Sequence, residues 1–155
     1  MGAMQHRTRS LESVRDFVDE ALENLVLERL SSTGEEPAMA LARDVLLAGG
    51  KRYRPVLALL AHEAAGGTDL EGIVDMAIAV ELIHTASLVH DDINDQSRTR
   101  RGRPAIHATH GISHGVIAGD YLFVLAFERC GAYEARIIER IAASCIRVAS
   151  GELLQ

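Results

Sequence analysis

The sequence predicts an all-α fold, a bundle of helices packed on helices, and three observations carry that expectation. Aromatic residues make up only 4% of the 155-residue chain and tryptophan is absent, while Ala, Leu, Ile and Val dominate. No alternating run of Val, Thr or Tyr bounded by turn dipeptides signals a strand. Residues 73–89 are apolar nearly all round, the pattern of a helix inside a bundle. The length suits one domain with a real core.

Taken in order, Ser10 caps a first helix that runs to about Leu30, with Glu12 and Glu20 among its early acids. Leu11, Val14, Val18, Leu22, Leu25 and Leu30 give it one apolar stripe. Residues 31–36 form a polar linker. Pro37 opens a second helix with Met39, Leu41, Val45 and Leu46 inward, and Gly49-Gly50 stop it. Pro55 takes the first position of a third helix that ends at Gly66-Gly67. Thr68 or Asp69 caps a long helix over residues 71–95. A short segment at 105–110 follows, then a long helix at 112–130 carrying Ala118-Gly119-Asp120, and a last helix from about Tyr133. There are no internal repeats.

The long helix organises the chemistry. Glu81, His84, Leu88, Asp91 and Asp95 follow at helical spacing and stack on one face. A polar stripe on a buried helix should line a cavity, because unpaired carboxylates in a dry core are costly. Asp91, Asp92 and Asp95 repel one another unless a cation bridges them, and oxygen-only ligands of this density suit Mg²⁺. Arg98-Thr99-Arg100-Arg101-Gly102-Arg103 follows directly. Acids for a metal beside arginines for phosphate describe a metal-diphosphate site. A second basic cluster, Gly49-Gly50-Lys51-Arg52-Tyr53-Arg54-Pro55, joins a glycine turn to a helix N-terminus, and Lys51, Arg52 and Arg54 add charge where an anion would sit.

The formal charge of −6 argues against nucleic acid as the general partner. Cys130 and Cys145 show no metal or redox spacing and read as reduced helix residues. Asp75, Glu81 and His84 interrupt the best candidate for a transmembrane segment, and no signal peptide is legible, so a soluble, cytoplasmic protein is expected. Met1, Gly2 and Ala3 precede a second methionine and read as an expression scar, leaving 4–155 as native chain. His107, His110 and His114 have spacings that would share a helix face for a transition metal. Gly111 and Ser113 weaken that helix, and no carboxylate or cysteine completes the set, so two of the three read as surface or interface histidines. His6 and His62 carry no signal. His84 and His90-Asp91 also prompt a helical HD-type metal phosphohydrolase, a reading that leaves both basic clusters unexplained.

Three segments together resemble the trans-isoprenyl diphosphate synthases, or polyprenyl synthetases. They are Gly49-Gly50-Lys51-Arg52-Tyr53-Arg54-Pro55, then Glu81-Leu82-Ile83-His84 through His90-Asp91-Asp92-Ile93-Asn94-Asp95, then Arg100-Arg101-Gly102. Ala118-Gly119-Asp120 also looks like a family feature. The resemblance implies an isoprenoid-synthase-type all-α bundle around a deep central cavity. It implies that isopentenyl diphosphate condenses with an allylic prenyl diphosphate, with Mg²⁺ as cofactor. Asp91, Asp92 and Asp95 then look like the first aspartate-rich motif, with Asp91 and Asp95 holding metal against the allylic diphosphate. Arg100 looks like that diphosphate's direct partner, and Lys51, Arg54, His84 and Arg101 like the clamp on isopentenyl diphosphate. The resemblance further implies that Ala86 and Ser87, five and four residues before Asp91, set product length. Small residues there let the growing tail pass, so a medium- or long-chain product is expected.

The family's catalytic domain is roughly twice this length, and its second aspartate-rich motif has no counterpart here. The chain therefore reads as an amino-terminal half, expected to be inactive alone and to act as a homodimer or by pairing with the missing carboxy-terminal half. A non-catalytic or split subunit of a heteromeric prenyl synthase is the alternative. The intact Asp91/Asp92/Asp95 set argues against that alternative and the missing half argues for it.

Overall fold

The computed structural model describes residues 10–32, 34 and 36–154, the Glu36 side chain excepted. The expected scar, His6 and part of the 31–36 linker lie outside the described residues. The chain forms α1 (Leu11–Ser31), α2 (Glu36–Leu46), α3 (Tyr53–Ala64) and α4 (Glu71–Asn94). Then come the paired strands β1 (Thr99–Arg100) and β2 (Arg103–Pro104), followed by α5 (Ile106–His110), α6 (Ile112–Cys130) and α7 (Ala135–Glu152). The all-α expectation holds, with one addition that the sequence pattern hid.

That addition is a two-residue antiparallel hairpin in the arginine segment, with Thr99 opposite Pro104 and Arg100 opposite Arg103. Its turn residues, Arg101 and Gly102, have φ of 51° and 76°, the left-handed pair that a tight primed hairpin turn requires. Strands this short contain no period to read, which is why no strand was expected.

Helix boundaries follow local chemistry. Ser10 caps α1 as expected, its hydroxyl accepting from Ser13 N at 3.1 Å. Pro55 is the third residue of α3 rather than the first; its missing N–H still falls in the first turn, where no intrahelical partner exists. The cap position of α4 is Leu70, but Asp69 Oδ1 takes the Glu71 N–H at 2.9 Å, so the expected acid does the capping from one residue further out. The last helix begins at Ala135 instead of near Tyr133. The Tyr133 hydroxyl donates to Gly72 O at 3.0 Å and accepts from Met76 N at 3.3 Å, which pins the α6–α7 turn to the start of α4.

Helix α4 is the spine, packed against α6 on one side and α3 on the other, with α1 also touching it. Its most apolar window has a mean hydropathy of 1.6, and the helix is long and apolar enough to cross a membrane. Ala77, Ile78, Ala79, Leu82, Ala86 and Val89 are buried against neighbouring helices instead, which is how a bundle's central helix reads. Leu22, Met39, Leu46, Leu59 and Leu122 fill the core around it. Helix α7 is different: among the described residues none of its side chains is buried.

Candidate active site

The turn between α2 and α3 builds the basic side of the site. Gly49, Gly50 and Arg52 all have positive φ, at 75°, 148° and 48°. Such backbone is easy for glycine and strained for arginine. Arg52 is held in it by three bonds: Nε to Asp19 Oδ1 at 2.8 Å, Nη1 to Glu81 Oε1 at 2.6 Å, and Nη2 to Leu46 O at 3.0 Å. With Arg52 and Glu81 both buried, this ion pair is part of the frame. The expectation that Arg52 adds charge for an anion is therefore corrected, because its fork is consumed by two carboxylates and a carbonyl. Glu81 does border a cavity, as its place on the stripe predicted, but as a neutralised floor.

Above that floor lies a cavity of about 490 Å³ lined by Lys51, Arg54, His84 and Arg101. All four residues expected to clamp one diphosphate line the same space, although two helices separate Lys51 from Arg101 in sequence. Arg101 reaches it from the hairpin tip. Its Nη1 donates to Gly49 O, and a Cβ on Gly50 would stand only 3.1 Å from that nitrogen. Gly50 thus makes room for a guanidinium. Burial holds the His84 imidazole below its ordinary pKa; Arg54 and Arg101 push the same way, while Glu81 and Asp91 oppose them.

The acids divide. Asp92 is buried, and its Oδ1 accepts from Arg100 Nε at 2.9 Å and Nη2 at 2.5 Å. Asp92 was expected among the metal ligands; here its Oδ1 anchors the hairpin's arginine to α4. Arg100, expected on the allylic diphosphate, has no bond to its Nη1 among the described residues. Asp91 is half-buried and Asp95 exposed, and among the described residues no hydrogen bond or ion pair engages either carboxylate. No three His, Cys, Asp or Glu side chains among the described residues converge on a metal position. His110 and His114 have ring centroids 6.4 Å apart, and Thr109 Oγ1 lies 2.7 Å from His110 Nδ1. Two unpaired carboxylates one helical turn apart nonetheless fit Mg²⁺, which takes one or two protein oxygens and fills its remaining positions with water and phosphate.

A second and larger cavity, about 920 Å³, runs from Asp91 and Asn94 along α4 toward its N-terminus. Ser87, Ala86, Ile83 and Val80 form its α4 wall, Phe123 reaches in from α6, and Ile141, Cys145 and Val148 close it from α7. Arg54 and His84 border both cavities, so the basic chamber and the apolar groove meet at these two side chains.

A chamber of cations thus opens onto an apolar groove that Asp91 borders. The sequence profile of the polyprenyl synthetase family matches residues 36–155. The chain belongs to that family. It is 39% identical over 140 residues to a short chain isoprenyl diphosphate synthase of Methanothermobacter thermautotrophicus, covering 87% of this chain and 43% of that protein. It is 42% identical over 139 residues to heptaprenyl diphosphate synthase component 2 of Geobacillus stearothermophilus, covering 89% and 42%. A crystal structure of a geranylgeranyl pyrophosphate synthase superposes with a TM-score of 0.84 at 27% identity, over 94% of this chain and 44% of that one. The chain thus spans less than half the length of these relatives. Family membership also ends the HD-type phosphohydrolase alternative.

Sequence reasoning missed the partners that hold the site together. Asp19 lies on α1, far from any motif, and carried no signal. The Asp92–Arg100 pair was legible only as two members of two motifs. Phe123 sits among Leu122, Val124 and Leu125, and nothing in that run marks one residue as facing a groove.

Proposed function

We propose that this chain supplies the diphosphate-binding part of a trans-prenyl transferase that condenses isopentenyl diphosphate with an allylic diphosphate. The observation that carries the reading is the junction at Arg54 and His84, which puts an anion chamber against an apolar groove that Asp91 borders. Lys51, Arg54 and Arg101 bind the diphosphate of the isopentenyl substrate in the chamber, and His84, neutral at physiological pH, donates a hydrogen bond there. Arg100, oriented by Asp92, turns its remaining donors to the allylic diphosphate, and Asp91 with Asp95 hold Mg²⁺ beside it. Bound Mg²⁺ neutralises the charge that builds on the departing diphosphate. The groove excludes water from the reacting carbons and takes the growing tail along α4.

The product is medium- or long-chain on this reading, because Ala86 and Ser87 leave the groove open toward Ile83 and Val80. Phe123 on α6 is then the first bulky side chain to meet the tail. One cluster of carboxylates leaves the departing diphosphate incompletely neutralised, and the unburied α7 leaves apolar side chains bare, so turnover requires more than these 155 residues. Pairing with the further length that relatives possess, and homodimerisation, supply it. A role beside a separate subunit is a second reading, favoured by the relative whose name makes it a component.

The test is transfer of labelled isopentenyl diphosphate to an allylic acceptor. Arg101→Ala should raise the KM for isopentenyl diphosphate about tenfold or more, in line with loss of a charge-assisted hydrogen bond. An unchanged KM removes the chamber from the reaction. Transfer by the 155-residue chain alone, at rates equal to the protein at its natural length, contradicts the need for a further part.

A further inference from the structure

The geometry points to His90 as the positioning residue that seats the acid-bearing end of α4 on α6, through a notch cut by Gly119. The His90 imidazole lies directly on the Gly119 backbone: a Cβ there would come within 2.3 Å of Nε2, 2.6 Å of Cδ2 and 2.9 Å of Cε1. Three ring atoms at such distances leave no room for even an alanine unless the whole ring departs. Nε2 lies 3.4 Å from the Val116 carbonyl and 3.4 Å from Asp120 Oδ1. Both partners are acceptors, which favours the tautomer with its hydrogen on that nitrogen.

One turn along, Ile93 repeats the contact more softly. A Cβ on Gly115 would meet Ile93 Cδ1 at 2.9 Å, the flexible end of that side chain. His90 and Ile93 flank Asp91 and Asp92, and Gly115 and Gly119 are one turn apart on α6. The result is a two-point seat for the turn that carries the acids. It fixes the rotation of α4 about its axis, and hence the direction in which Asp91 projects into the groove. The Ala118-Gly119-Asp120 segment thereby gains a physical role in which Gly119 gives the space and Asp120 the acceptor.

This inference rests on the reading of Asp91 and Asp95 as Mg²⁺ ligands, and the experiment separates the two. Mn²⁺ affinity in the presence of inorganic diphosphate is measured by electron paramagnetic resonance on the protein at its natural length, alongside thermal unfolding. Gly119→Ala and His90→Ala should each weaken Mn²⁺ binding about tenfold, the scale of residues that orient ligands without touching metal. His90→Gln, whose amide nitrogen reaches the same acceptors, should recover most of the loss. Gly119→Ala should also lower the melting temperature much less in a His90→Ala background than alone. Gly67 provides the control: a Cβ there would strike His62 Nε2 at 2.2 Å in a contact remote from the acids. Gly67→Ala should cost stability and leave Mn²⁺ affinity unchanged. Wild-type Mn²⁺ binding with unchanged affinity in the folded Gly119 and His90 variants would overturn the positioning role alone. Absence of Mn²⁺ binding in the wild type would overturn the metal reading and this inference with it.

Discussion

The two ends of the site are built by opposite means. At the polar end, charge is set in place before any ligand arrives: Arg52 is locked by Asp19, Glu81 and the Leu46 carbonyl, and Arg100 is locked by Asp92. At the apolar end, α7 closes the groove with side chains that remain partly or fully exposed. The contrast teaches that the basic chamber is braced by ion pairs, whereas the apolar groove is bounded by a wall without a packed back. It also teaches that counting cations overstates binding capacity. Arg52 spends its donors on two carboxylates and a carbonyl and Arg100 part of its fork on Asp92, whereas Lys51, Arg54 and Arg101 line the chamber.

Breaking the rigid end should have the largest effect. Arg52→Ala leaves the Glu81 carboxylate buried without its partner, and removing one member of such a pair costs about 3–5 kcal/mol. Denaturant unfolding should register that loss, and a change under about 1 kcal/mol would mean that Glu81 finds water or another donor. The Asp92–Arg100 pair is half-exposed on the arginine side, so Asp92→Asn should cost less, about 1.5–3 kcal/mol at most. Its sharper signature is kinetic. With Arg100 no longer held, the KM for the allylic substrate should rise, while an unchanged KM would reduce the pair to a loop clasp.

At the soft end, Ala86 and Ser87 separate two effects that the sequence treated as one. Ala86 is 1% exposed, so Ala86→Phe must overpack the α4 interface at about 1–3 kcal/mol while it also narrows the groove. Ser87 is half-buried, its hydroxyl bonded to the His84 carbonyl at 2.8 Å, and Ser87→Phe can place its ring in the groove with less strain. Both changes should shorten the product on chromatography, with a smaller stability loss for Ser87→Phe. An identical product distribution would show that the tail runs elsewhere.

The smallest effect concerns pH. Burial lowers the His84 pKa in the folded state below its ordinary 6.5, so the unfolded chain takes up the proton first as pH falls. Stability should therefore decline as pH drops through about 6.5, and His84→Gln should flatten that part of the profile. A profile unchanged by the substitution would place the titration on other histidines.

How far the sequence carried is clear from particular residues. The central helix and its polar stripe were legible because helical spacing acts over one or two turns, whereas the grouping of Lys51, Arg54, His84 and Arg101 came from the resemblance to polyprenyl synthetases. The partners were not legible. Asp19 meets Arg52 across 33 positions, and Arg101 meets Gly49 across 52, and no local pattern records such distant contacts. The hairpin escaped because its strands are shorter than one period. Arg52 misled because a buried cation and a ligand-facing one look alike in sequence; only its left-handed backbone and three bonds distinguish them.

The central claim is that the basic chamber and the apolar groove are one site joined at Arg54 and His84. A crystal structure of the protein at its natural length, with Mg²⁺, isopentenyl diphosphate and an unreactive allylic thiolodiphosphate, tests it most directly. The account predicts one diphosphate bonded to Lys51, Arg54 and Arg101 and the other beside Asp91 and Arg100, with the allylic tail passing Ser87 along α4. A diphosphate seated away from Arg54 and Arg101, or a tail directed out to solvent instead of past Ser87, would contradict it.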